Sequence, residues 1–84
     1  MEKLFLIDDQ RYLHVQECDE GGYDYTFYDR ETYKAMDGGR LDDPEGEIDT
    51  ILQAALSICY NHGLAPDMMV AAPEDMIGTL QNAN

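Results

Sequence analysis

Apolar and polar positions alternate with a period of two through the first half of this chain and switch to a helical spacing in the second. Lys3 to Ile7 is apolar apart from its lysine and predicts a first strand. Tyr12 to Glu17 alternates, with Leu13 and Val15 on one face and Tyr12, His14 and Gln16 on the other. Tyr23 to Tyr28 alternates again and sets Tyr23, Tyr25 and Phe27 against Asp24, Thr26 and Tyr28. The joint Asp8-Asp9-Gln10 suits a hairpin. The joint Asp19-Glu20-Gly21-Gly22 supplies glycines able to take positive φ, so the third strand is expected to return antiparallel. A turn at Asp29-Arg30-Glu31-Thr32 then leads to a short strand, Tyr33 to Met36, which completes a four-strand meander. Asp37-Gly38-Gly39-Arg40-Leu41-Asp42 is taken as the turn from sheet to helix.

Asp43-Pro44-Glu45 is the grammar of a helix start: a capping carboxylate, a proline at the first helical position and acids at the positive end of the dipole. Asn61-His62-Gly63 is a stop, with Gly63 suited to a left-handed cap. Between them Ile48, Ile51, Leu52, Ala55, Leu56, Ile58, Cys59 and His62 fall within one arc at about 100° per residue, with Leu52 at its centre. Met68 to Ala72 predicts a short fifth strand. Pro73-Glu74-Asp75 opens a last helix with Met76, Ile77 and Leu80 as its apolar stripe. The expected fold is α+β: one domain over residues 1–84, a small, mainly antiparallel sheet, the main helix packed on one face and a short C-terminal helix.

Charge narrows the function. The chain carries 18 Asp and Glu against five Lys and Arg, a formal net charge of −13. Binding to phosphate backbones needs clustered basic side chains, so direct nucleic-acid binding is not expected. The acids sit mainly at the joints between apolar runs, and 44% hydrophobic content is enough for a folded domain, so the acidity is that of a solvated surface. No stretch approaches the ~20 apolar residues of a bilayer span, and the start Met1 to Asp8 lacks the pattern of a signal peptide. Two cysteines suit free thiols in a reducing compartment, and a cytoplasmic location is expected.

A glycine leading into the aromatic strand Gly22-Tyr23-Asp24-Tyr25-Thr26-Phe27-Tyr28-Asp29, followed by Asp37-Gly38-Gly39-Arg40-Leu41-Asp42-Asp43-Pro44, resembles the large polyvalent protein-associated domains over roughly Arg11 to Gly63. Those are small modules of unassigned biochemical role, found in conjugative elements and phages of gut Firmicutes, alone or beside helicase, primase and methylase domains. The resemblance implies a non-catalytic protein-interaction or accessory module of mobile genetic elements. It carries no catalytic residues to transfer. The alternative that the charge permits is an acidic mimic of nucleic acid, inhibiting a DNA-binding or defence protein.

No reactive constellation stands out. His14 and Cys18 share one strand face, and Cys59 and His62 are about one helical turn apart, a spacing a zinc site could use. But Cys59 and His62 fall in the apolar arc, while His14 and Cys18 point away from the Leu13/Val15 face that meets it. A cysteine–histidine nucleophile requires an electropositive cleft that so acidic a chain does not favour. A calcium loop fails in register, because Gly39 and Leu41 occupy positions where oxygen ligands are needed. The reading is therefore of no enzyme, no cofactor and no metal. The candidates for contact with an unknown protein partner are Tyr12, Tyr28 and Tyr60, amphipathic aromatics on faces expected to look outward.

Overall fold

Alternating strands with apolar side chains on both faces must be covered on both, and this chain places a helix on each. The computed structural model describes residues 1–66 and 69–84. Strands β1 (Glu2–Leu6), β2 (Arg11–Glu17), β3 (Tyr23–Asp29) and β4 (Ala35–Leu41) form an antiparallel meander, and β5 (Val70–Ala71) pairs with the far side of β1. The sheet order is β4-β3-β2-β1-β5, with helix α1 (Ile51–Asn61) and a short C-terminal helix α2 (Asp75–Asn82), an α+β fold. Of the fifth strand expected over Met68 to Ala72, Val70–Ala71 is extended in the ladder, and Met68 lies outside the described residues.

The register makes the two faces. Leu13 pairs with both Phe5 and Phe27, and with Ile7, Val15 and Tyr23 these side chains pack beneath Ala54, Ala55, Ile58 and Cys59 of α1. On the opposite face Leu4 and Tyr28 are buried with Ile77 and Leu80 of α2, with Tyr12, Tyr33, Ala72 and Met76 at the margin. Full burial of each such aliphatic side chain contributes about 1.5–3 kcal/mol. The face expected to look outward at Tyr12 and Tyr28 is therefore covered by α2.

Carboxylates tie the turns. Asp8 Oδ1 accepts from the amides of Gln10 and Arg11 at 2.7 and 3.0 Å, closing the β1–β2 hairpin. Asp29 Oδ1 does the same for Glu31 and Thr32 at 2.8 and 2.9 Å, closing β3–β4, where Tyr33 takes a positive φ of 65° instead of beginning a strand. Gly21 and Gly22 turn β2 into β3 with φ of 94° and 78°, the left-handed conformations that the joint requires.

Two expected boundaries are displaced, each for a steric reason. The Asp37-Gly38-Gly39-Arg40 segment is strand, not turn: β4 runs through it to Leu41. A Cβ on Gly39 would come within 2.8 Å of Tyr25 Oη, and one on Gly38 within 3.0 Å of the Tyr25 carbonyl oxygen. These glycines let β4 lie against a bulky β3 neighbour, and in a strand they mark close approach as well as bends. The main helix also starts later than Pro44. Asp43 does cap amides, accepting from Glu47 at 2.9 Å and Ile48 at 3.1 Å, but Gly46 follows with a φ of 64° and breaks the turn. The helix begins at Ile51, where Thr50 Oγ1 accepts from the Gln53 amide at 3.1 Å. It ends as expected at Gly63, φ 71°, where the amides of Gly63 and Leu64 bond back to the Tyr60 and Cys59 carbonyls.

The buried arc of α1 is centred on Ala54, Ala55 and Ile58 rather than on Leu52, which is 44% exposed. Two adjacent alanines let the helix backbone settle close to the sheet, and the larger leucines turn to the flank. At the far end of the fold Asn84 fastens α2 to the β3–β4 connection: its Oδ1 accepts from the Ala35 amide and its Nδ2 donates to the Tyr33 and Leu80 carbonyls, each at 2.7 Å.

Two outcomes follow. Ile58→Ala should lower stability by about 2–4 kcal/mol in chemical denaturation, whereas Leu52→Ala should stay within about 0.5 kcal/mol of wild type; comparable losses would place the helix face wrongly. The amides of Thr32 and Glu31 hold the Asp29 carboxyl below its ordinary 3.8. A depressed carboxyl contributes stability above its unfolded value that is lost as pH falls through the folded one. Asp29→Asn, which keeps the acceptor but not the charge, should therefore flatten the loss of stability in urea melts stepped downward from about pH 4. An unaltered acid limb would refute that role.

Candidate functional site

His62 caps the C-terminal end of α1 and reaches back to the sheet. Its Nε2 lies 2.7 Å from Tyr25 Oη on β3 and its Nδ1 lies 3.5 Å from Asp37 Oδ2 on β4. The imidazole thus lies within hydrogen-bond distance of the phenol on one side and beside a carboxylate on the other. The ring also meets Tyr25 and Phe27 edge-on, with centroids 5.4 and 5.1 Å away. Gly39 leaves the space in which Tyr25 lies. The array joins a helix end to two strands.

Beside it opens a cleft of about 340 Å³ lined by Arg11, Phe27, Met36, Asp37, His62 and Leu64. Arg11 Nε lies 3.3 Å from Asp8 Oδ2, within ion-pair range, yet the atom is buried without a hydrogen-bond acceptor.

The three candidate tyrosines are separated by the fold. Tyr28 is 6% exposed beneath α2, Tyr12 is half-buried against the same cluster, and Tyr60 is 67% exposed on α1. The structure brings different residues to Tyr60. Leu52, Leu56 and Tyr60 follow one another at intervals of four along α1, and none belongs to either buried cluster. They form an outward ridge, spaced as helix-packing ridges are. No residue of α1 carries a formal charge. The spacing of Leu52 and Leu56 fits the apolar arc, and the Ala54-Ala55 pair, buried against the sheet, is the signal that separates them from the core.

Acids gather around Tyr23, at the start of β3. Glu17, Asp43 and Asp49 all raise the pKa of Tyr23, after burial itself, and an open groove of about 650 Å³ is lined by Glu20, Gly21, Arg40, Asp42, Asp43, Pro44, Glu45 and Gly46. Arg40 is the cation within it, 3.1 Å from Asp42 and 3.7 Å from Asp24, donating also to the Gly21 carbonyl at 2.7 Å. Its guanidinium is held charged, chiefly by the hydrogen bond to Asp42.

The cysteines and histidines do not converge. His14 is buried on the α2 face, 3.3 Å from Glu2, and Cys18 lies 3.6 Å from Arg40 Nη1, whereas Cys59 is buried under α1. Among the described residues no group of three or more His, Cys, Asp or Glu is placed to hold a metal ion. Burial, then the Asp8 carboxylate, pushes the Cys59 thiol up, which keeps it protonated and inert. In iodoacetamide labelling followed by mass spectrometry, Cys18 should react in the native protein and Cys59 only after denaturation; rapid native labelling of Cys59 would contradict its placement in the core.

Among the described residues no helix is long and apolar enough to cross a membrane. No curated protein and no solved structure matches the chain. A family described as large polyvalent protein-associated domain 16 matches residues 1–84, extending the resemblance of Arg11 to Gly63 in both directions to take in β1, β5 and α2, and the chain belongs to that family.

Proposed function

We propose that this protein is a non-catalytic accessory module of mobile genetic elements, acting in the cytoplasm by binding another protein. The observation that carries the proposal is the uncharged, partly exposed Leu52–Leu56–Tyr60 ridge in a chain of net charge −13. Exposed apolar side chains grouped on one element of an otherwise highly charged surface suit a protein interface. Membership of a family named for its association with polyvalent proteins supports an accessory role. The non-catalytic reading draws on His62, whose Nε2 lies 2.7 Å from Tyr25 Oη in tying α1 to the sheet, and on the buried Cys59.

The concentration of acids around Tyr23 and Arg40 favours a second reading, a polyanionic mimic that occupies a basic groove. The two separate by salt and by substitution. Affinity capture from the native host should retain partners at about 200 mM salt and lose them with Leu56→Glu or Tyr60→Glu, while neutralising Asp19, Glu20, Asp42 and Glu45 should change capture little, because exposed charges are screened beyond about 8–10 Å. Capture that survives the ridge variants, fails on neutralising the acids and collapses between about 50 and 200 mM salt would establish the mimic instead.

A further inference from the structure

We propose that the outer ridge of α1 is a docking surface for an amphipathic helix whose apolar stripe is flanked by lysine or arginine. The inference rests on the protein-interaction reading above and names the class of partner.

Geometry points to a helix. Leu52, Leu56 and Tyr60 are spaced i, i+4, i+8, and a ridge of that spacing packs best into the matching groove of a second helix. The 11 residues of α1 extend about 16 Å at ~1.5 Å per residue, three turns, enough to meet a short helix along its length. Leu52 and Tyr60 at the two ends of the ridge are 44% and 67% exposed, so a partner can bury substantial area on both.

Charge complementarity selects the flanks. The ridge itself is neutral, but acids stand at both of its ends. Glu47 and Asp49 are exposed just before its N-terminal turn. Asp37, its side chain 60% exposed, lies 3.5 Å from His62 at the C-terminal end. A partner carrying Lys or Arg beside its apolar stripe meets those carboxylates; one carrying Glu or Asp is repelled. The same reasoning disfavours a second copy of this chain, which would bring like acids together.

The test uses synthetic helical peptides with a fluorescent label, measured by anisotropy against the full chain. The first carries Leu at i, i+4 and i+8 with Lys and Arg on both flanks; the second replaces the basic flanks with Glu; the third keeps the basic flanks and replaces Leu with Ala. The first should bind, and the other two at least about tenfold more weakly. Leu56→Glu and Tyr60→Ala should each weaken the first peptide by at least about tenfold with the thermal melt unchanged. Equal binding of the first and third peptides would reduce the contact to charge alone, and equal binding of the first and second would remove the basic requirement; either overturns the proposal. So does a failure of the first peptide to bind, or a concentration-dependent dimer abolished by Leu56→Glu, which would give the ridge to a second copy. If host capture depends on the ridge while no basic helix binds, the class of partner is wrong and the interaction-module reading stands. If capture is indifferent to the ridge, both fall.

Discussion

Everything in this fold depends on the central strands being apolar on both sides. Leu13, Val15 and Phe27 point to one face and Leu4 and Tyr28 to the other, so a single helix would leave one face in water. A sheet with two such faces needs two layers of cover, and a chain of 84 residues has little left for anything else. Each helix is short. On the outer flank of α1, Leu52 and Tyr60 remain exposed.

The first three strands were legible because a period of two is a strong signal and because the glycines at 21 and 22 suit a turn. The two-faced burial was half legible. Alternation separates Tyr12 and Tyr28 from Leu13 and Phe27, but it does not say whether tyrosine covers a sheet or is covered. That was decided by α2, whose Ile77 and Leu80 are too few to announce a docking face on their own. The start of α1 differs from its sequence signal because Asp43-Pro44-Glu45 satisfies every local rule for a helix and is overruled by Gly46 in a left-handed conformation. A tetrapeptide turn and a first helical turn share the same opening grammar.

The candidate site was the least legible. Tyr25 and His62 are 37 residues apart, and nothing in the local pattern of either predicts a 2.7 Å contact. Asp37 joins them only because the Gly38-Gly39 segment is strand, which brings β4 alongside Tyr25. The outward ridge of α1 was hidden differently: its leucines satisfy a periodicity argument for burial, and only the size of the neighbouring alanines moves the buried face away from them.

The turn carboxylates divide the acidity of this protein into two populations. Asp8, Asp29 and Asp43 spend their oxygens on the amides of their own turns, whereas Asp19, Glu20 and Glu45 hold no such bond among those described. Drift in composition is therefore not free to act evenly. A lineage can gain or shed net charge at the second set without disturbing the chain's path, but at the first set even glutamate is a poor exchange, since one more methylene carries the carboxylate past the amides it must reach. The number of acids is adjustable; the places where three of them stand are part of the backbone's design.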